Sequence, residues 1–323
     1  MVNKMEIEPG NGYQAPQFLF SGHETFSLRI PWLPKAVVAL TARKDPFGDP
    51  RKGMEILGIG KNMVQSLAFW VQATGVAQKS NSDDFVLTEF GKQVFDADYG
   101  KDPYLENTQT LWLIHWNLCQ GWMDGERNRR PYAWHYFVNK LRDDEITATE
   151  TVGHFQGAET ASGRELSVVT LRQHLDIFLR TYVDGESSGP RALPEDTLDS
   201  PLTPLRLIRP HGEKKLVSGR RETVYRIQNG PKPSISILTF RHCLHQWWNA
   251  VYPNEQALTV RQISLDDDSP GRVFRLPETA IHDMLMNLSR QFPMEMTIID
   301  TRSQRSVQRS KTPKSTLADI YKA

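Results

Sequence analysis

Residues 51–95, RKGMEILGIGKNMVQSLAFWVQATGVAQKSNSDDFVLTEFGKQVF, leave few local folds open. A short helix ends near Leu57, the Gly-Ile-Gly of residues 58–60 makes a tight turn, and a second helix runs from about Lys61 to Thr74. Gly75 stops it, a two-strand ribbon closes around the polar tip KSNSDD, and Thr88 is placed to cap the next helix. Helix, glycine turn, helix and hairpin in that order predict a winged helix-turn-helix. In the second helix Met63, Val64, Leu67, Trp70 and Val71 recur at helical spacing and face a core, while Lys61, Asn62, Gln65, Ser66 and Phe69 look outward. An amide for base edges and a cation for phosphate, close to a helix N-terminus, suit a DNA major groove. Arg51 and Lys52 on the preceding helix would support them. The same unit can also pack against a protein, and Asp83 and Asp84 at the ribbon tip, beside a single Lys79, would repel phosphate.

The rest of the chain reads as mainly α with small β-hairpins, an α+β class with winged units flanking a helical middle. Residues 1–17 read as a loose arm, 18–96 as the N-terminal winged-helix domain and 97–185 as a helical middle. Residues 186–204, rich in Gly, Ser and Pro, read as a linker. Residues 205–323 read as a second winged-helix-like unit: short helix, glycine-containing turn, longer helix and an alternating hairpin. Net charge is only +1, so nucleic-acid binding would need a local patch. Residues 301–323 supply one, with six Lys/Arg against one Asp. Arg272, Arg275, Arg302, Arg305 and Arg309 are the expected DNA contacts of this unit. No apolar run approaches the roughly 20 residues of a bilayer span. Two cysteines, Cys119 and Cys243, exclude a disulfide framework and fit a reducing cytoplasm.

Other residues carry chemistry with an ordinary alternative beside it. Arg127, Arg129 and Arg130 stand next to Tyr132, Trp134 and Tyr136, the ingredients of a single-strand platform, yet Trp134 and Phe137 share helical spacing with Leu141 as core residues do. His242 and His245 lack further metal ligands, Trp112 and Trp116 read as core, and the aspartates of residues 266–268 read as a cap. In FSGHETFSLR (20–29), His23, Glu24 and Arg29 lie on a non-helical segment before Pro31. Histidine as base, carboxylate on Mg²⁺ and arginine on phosphate would suit phosphodiester cleavage. Ser21 and Glu24 at capping-box spacing also fit a plain helix start.

The strings FSGHETFSLRIPWLPKA, LGIGKNMVQSLAFWVQATGV with LTEFG, TLRQHLDIFLRTY, SPLTPLRLI and SPGRVFRLPE, in that order, resemble the domain-of-unknown-function family 4007. The likeness spans the chain after its first fifteen or so residues, and SGHETF and GIGKNMV are its most specific parts. The prolines of RIPWLPKA depart from the plain helix expected in relatives. The resemblance implies a DNA-binding, nicking subunit of bacterial single-strand DNA phosphorothioation and phage defence. It also implies a divalent metal (Mg or Mn), and a cysteine desulfurase, an ATP-pyrophosphatase-like enzyme and an ATPase as partner proteins. It weights His23, Glu24 and Arg29 toward a functional role and names no cleaving residue.

Overall fold

A computed structural model of the chain describes residues 16–125, 127–161, 165–183, 200–301, 305–310 and 316–322. Helices dominate and the strands are short, an α+β class as the sequence predicts. Strand β1 (Gln17–Leu19) is followed by helix α1 (Trp32–Thr41), then α2 (Pro50–Leu57) and α3 (Lys61–Ala73). Pro31 takes the N-cap position of α1, and Asp49 caps α2 by accepting from the Arg51 N–H. Gly58, at φ 65°, ends α2 in the left-handed conformation that only glycine adopts cheaply, which turns the chain directly into α3. The antiparallel hairpin β2 (Ala77–Lys79) and β3 (Phe85–Leu87) follows, and Thr88 caps α4 (Glu89–Phe95). The element order expected of residues 51–95 is therefore present.

The middle is less purely helical than its apolar periodicity suggests. Helix α5 (Thr108–Gln120) leads into strands β4 (Trp122–Asp124) and β5 (Arg127–Pro131), so the arginine-rich stretch is a strand. Strand β1 pairs in parallel with β5, Gln17 opposite Arg129. A short helix α6 (Tyr132–His135) continues as a π-helical turn, Tyr136–Lys140. Strand β6 (Glu145–Thr147) and helices α7 (Ala148–Ala161) and α8 (Val168–Tyr182) complete this part. Most of the expected linker, residues 186–199, lies outside the described residues.

Beyond it, the long hairpin β7 (Ile208–Lys215) and β8 (Arg221–Ile227) pairs back to β6 through β8, giving the order β6-β8-β7. Helices α9 (Ile237–Val251), α10 (Val260–Leu265), α11 (Pro270–Val273) and α12 (Glu278–Gln291) follow, with strand β9 (Ala257–Thr259) before α10. The expected glycine turn is the one-turn helix α11, in which Gly271 lies so close to the Ser264 carbonyl that a Cβ would meet it at 2.4 Å. Strands β10 (Met296–Asp300) and β11 (Arg305–Arg309) close a sheet of order β10-β11-β9, and helix α13 (Leu317–Ile320) ends the chain.

One buried cluster runs through all of these parts. Trp70, Trp112, Trp116, Trp134, Trp247 and Trp248 are all fully enclosed. Polar groups knit the same region. Trp134 donates to the Tyr182 hydroxyl (2.9 Å), which lies 2.7 Å from His115 Nδ1, and His115 Nε2 lies 2.9 Å from the Val273 carbonyl. The carbonyl must receive a proton, so His115 is the Nε2–H tautomer and its Nδ1 accepts from tyrosine. Among the described residues no helix is long and apolar enough to cross a membrane.

Candidate nucleic-acid interface and the segment beside it

Helix α3 exposes Lys61, Asn62 and Gln65 to solvent, and Arg51 and Lys52 are exposed on α2. The N-cap of α3 is Gly60, whose lack of a side chain leaves the first-turn N–H groups without a side-chain cap. Cations and uncapped amides thus share one end of the helix, where the macrodipole also favours an anion.

Further along α3 the outward face expected from its periodicity is covered. Ser66 is fully buried and donates to the His23 carbonyl at 2.8 Å. Phe69 is buried edge-on against His23, with ring centroids 5.7 Å apart, and against Trp122 at 5.6 Å. The cover is the segment 20–29, which folds back across α3 from more than forty residues upstream in the chain. Ser66 is thereby corrected from a groove-facing residue to a buried strut. Gly22 makes the close approach possible: at φ 108° its missing Cβ would stand 3.1 Å from the Phe69 ring. Gly22→Ala is expected to lose about 1–3 kcal/mol, the usual cost of forcing such a backbone on an L-residue, read as a lowered urea midpoint.

His23, Glu24 and Arg29 do not share one environment. Glu24 is exposed, and it and Thr25 hold positive φ values of 47° and 67°. Two successive non-glycine residues in that region store strain of the kind that gathers at functional sites. The Arg29 guanidinium lies 5.8 Å from the Phe26 ring centroid and 5.6 Å from that of Trp32. His23 is 3% exposed, and its Nε2 lies 3.0 Å from His174 Nδ1. The Ala133 N–H donates to His174 Nε2 at 2.9 Å, so a neutral His174 must carry its proton on Nδ1 and donate it to His23. His23 Nε2 is then an acceptor, and its own proton sits on the enclosed Nδ1, which has no partner among the described residues. Burial lowers the His23 pKa to about 4 and holds His174 well below its ordinary value. In this conformation the His23 lone pair is occupied, which removes it as a free general base.

The same segment forms one wall of a cleft of about 370 Å³. Thr25, Phe26, Ser27 and Arg29 face Gln173, Asp176, Ile177 and Arg180 of α8 across it. Asp176 is paired with Arg172 at 3.2 Å, and burial still raises its pKa above the usual range. Gln173, Asp176 and Arg180 stand at i, i+3 and i+7, so TLRQHLDIFLRTY already marks them as one polar face, although nothing in it says what they oppose.

The remaining expected DNA contacts divide by burial. Arg127 is exposed, Arg129 is half-buried and paired with Asp124 at 3.2 Å, and Arg305 is exposed and paired with Asp300 at 3.4 Å. Arg272 is partly buried and donates to the Leu265 carbonyl at 2.9 Å. Three guanidinium groups lie inside the protein, which corrects their assignment to a DNA surface. Arg130 is bound to Asp268, Arg275 donates to the Phe137 and Leu141 carbonyls, and Arg309 lies 4.8 Å from the centre of the Trp248 ring and donates to the Tyr252 and Pro253 carbonyls. Tyr132, Trp134 and Tyr136 are buried as well, so the three aromatics expected to form a platform beside Arg127 are not exposed. Arg302 lies outside the described residues.

Among the described residues no three His, Cys, Asp or Glu side chains converge as a metal cage.

Residues 20–322 match the family described as "Protein of unknown function (DUF4007)". The chain belongs to the DUF4007 family. Two solved structures share the fold of this DUF4007 protein. A magnesium ion-bound SspB crystal structure superposes with a TM-score of 0.76 at 23% identity, covering 90% of this chain and 82% of that one. A further SspB crystal structure gives 0.75 at 22% identity with the same coverage. No curated protein matches the chain.

Proposed function

We propose that this protein is the DNA-binding subunit of a bacterial single-strand DNA phosphorothioation and phage-defence system. In this reading α2, α3 and the β2–β3 hairpin act as a winged helix-turn-helix, and residues 205–323 hold a second, related unit. The observation that carries the proposal is the exposure of Lys61, Asn62 and Gln65 together at the uncapped start of α3, with Arg51 and Lys52 beside them. Family membership and the shared fold with SspB support the choice of system. The cysteine desulfurase, ATP-pyrophosphatase-like enzyme and ATPase of such systems are its partners in this proposal, and the cytoplasm its location. Nicking forms the second part of the proposal. It draws on the cleft between residues 25–29 and α8, where Arg29 and Arg180 can hold a phosphodiester between two cations.

The test is fluorescence anisotropy with labelled duplex and single-stranded DNA, run beside a plasmid-nicking assay with Mg²⁺ or Mn²⁺ added. Duplex affinity is expected to fall steeply with salt. Lys61→Ala combined with Asn62→Ala should weaken it about ten- to a hundredfold, because the pair supplies one bond to phosphate and one to a base edge. Arg29→Ala or Arg180→Ala is expected to abolish nicking while leaving duplex affinity within about threefold. No polynucleotide response in dilute buffer would overturn the DNA reading in favour of a scaffold that recruits the sulfur-transfer enzymes. Normal nicking by both arginine variants would remove the cleft from the proposal.

A further inference from the structure

The β7–β8 hairpin extends past the sheet that anchors it. Strand β6 pairs with β8 only at residues 224–226, so the rungs Lys214↔Glu222 and Lys215↔Arg221 lie beyond the third strand. The ribbon turns through Leu216–Arg220, with the Leu216 N–H donating to the Arg220 carbonyl and Gly219 at φ 82°. That is a three-residue hairpin loop with its glycine in the left-handed position. A second left-handed glycine, Gly212 at φ 83°, sits in the register shift between Pro210 and Glu213, where a bulge adds twist and re-aims the outer half.

The side chains of this outer half are sorted by charge. The two carboxylates are neutralised locally. Glu213 pairs with Arg221, and Glu222 turns inward to accept from Thr149 and from Arg172. Lys214 reaches Glu150 on α7. Lys215 and Arg220, on opposite strands at the turn, have no ion-pair partner among the described residues, and both are exposed. Between them Val217 stands fully exposed at the tip, the most solvent-accessible large apolar side chain among the described residues. A valine in water is ordinary by itself, but here it stands at the tip of a ribbon that carries an exposed, unpaired cation on each side.

We infer that this ribbon is a second DNA contact, a basic arm that sets Lys215 and Arg220 on phosphates bordering the major groove and places Val217 against the base edges within it. The inference takes its ligand from the DNA reading above but uses none of the same residues. A major groove about 12 Å wide admits a two-stranded ribbon, and its thymine methyl groups are apolar partners for a valine. Phosphates on both sides of the groove match a cation on each strand of the ribbon. An anionic membrane would attract the same cations, but a single valine offers it little apolar area to bury.

The experiment uses the full chain, a labelled duplex and a series of salt concentrations. Lys215→Ala with Arg220→Ala is expected to flatten the plot of log affinity against log salt by about 1.8, roughly 0.9 for each phosphate that is no longer neutralised. At about 0.1 M salt the same variant should bind ten- to sixtyfold more weakly. Val217→Ala is expected to keep the wild-type slope and lose about fivefold in affinity, a loss that shrinks on a duplex with uracil in place of thymine. All three positions are solvent-exposed, and an unchanged melting curve will show that the variants fold. An unchanged slope for the double variant overturns the arm, as does a loss seen only in a parallel co-sedimentation with phosphatidylserine vesicles and not on the duplex. An unchanged affinity for Val217→Ala overturns the insertion into the groove. Lys61→Ala/Asn62→Ala measured alongside separates the two readings: an effect there with none at the arm refutes the arm alone, and the reverse pattern refutes α3 alone.

Discussion

Lowering the pH from 7 to 5 is expected to remove most of this protein's stability, well before its carboxylates titrate. Five histidines are buried: His23, His115, His135, His174 and His245. Burial lowers the pKa of His23, His115, His135 and His245 to about 4, and it holds His174 well below 6.5. The hydrogen bonds agree with neutral rings. His135 Nδ1 faces donors from Arg130 and Asn139, and His23 Nε2 faces the proton on His174, so a proton added at either nitrogen would meet another donor. A histidine in the unfolded chain takes up its proton near pH 6.5, whereas His23, His115, His135 and His245 hold theirs off until about pH 4 and His174 until well below 6.5. The unfolded state therefore binds more protons throughout that window, and acid favours it. Each ring contributes stability that is complete above its unfolded pKa and is lost as pH falls toward the folded one. By linkage the loss between pH 7 and 5 is about 2 kcal/mol for each of the four rings held near 4, roughly 7 kcal/mol together, with His174 acting in the same direction, against a total stability of about 5–15 kcal/mol for an ordinary domain. Urea unfolding followed by circular dichroism at pH 7, 6 and 5 reads this directly. The midpoint should fall steeply at each step, and a midpoint constant down to pH 5 would show that these rings are protonated or hydrated in the folded state.

This acid sensitivity was not legible in the sequence, and the reason is general to the chain. A histidine among aromatics shows neither its burial nor its partner, and His23 meets its partner His174 151 positions away. Local features were legible. The glycine turn after α2, the Thr88 cap and the hairpin of residues 77–87 follow from chemistry within a few residues. So do the exposed Lys61, Asn62 and Gln65, because helical spacing separates them from Val64, Leu67 and Trp70. Ser66 and Phe69 occupy the same outward arc, yet segment 20–29 lies over them, and helical periodicity reports only that a face differs from the core, not what covers it. The parallel pairing of β1 with β5 brings together residues 112 positions apart and leaves no local trace. Arginine misleads most. Its charge suggests solvent or phosphate, whereas Arg130, Arg275 and Arg309 are held by a carboxylate, backbone carbonyls and aromatic faces that only the fold assembles.

Asp268→Ala is expected to be among the most destabilising single substitutions in the chain, costing about 3–5 kcal/mol because it leaves a buried guanidinium without its counter-charge. Arg130 Nη1 lies 2.8 Å from both oxygens of Asp268, and Asn139 Nδ2 donates to the same carboxylate at 2.7 Å. The Asp268 N–H returns a bond to Asn139 Oδ1 at 2.9 Å, while the rest of the Arg130 guanidinium is satisfied by the Gln120 carbonyl. Removing the carboxylate strands the arginine and the asparagine together, and neither can turn to water, since Arg130 is 4% exposed and Asn139 1%. Alanine adds a second cost of about 1–2 kcal/mol, because Asp268 sits at φ 60°, where aspartate and asparagine are tolerated and alanine is not. Asp268→Asn separates the two effects. It keeps the left-handed backbone and one acceptor while removing the charge and turning the second acceptor into a donor, so it should recover the backbone part of the loss. Replacing both partners, Arg130→Met with Asp268→Asn, should recover more stability than Asp268→Asn alone, since no unpaired charge remains inside. Urea midpoints at pH 7.5, above the histidine window, measure all three. If Asp268→Ala shifts the midpoint by less than about 1 kcal/mol equivalent, Arg130 has reached solvent, and its charge is available to DNA after all. The stability of this pair therefore decides whether Arg130, unlike the exposed Arg127 on the same strand, belongs to the interior or to the nucleic-acid surface.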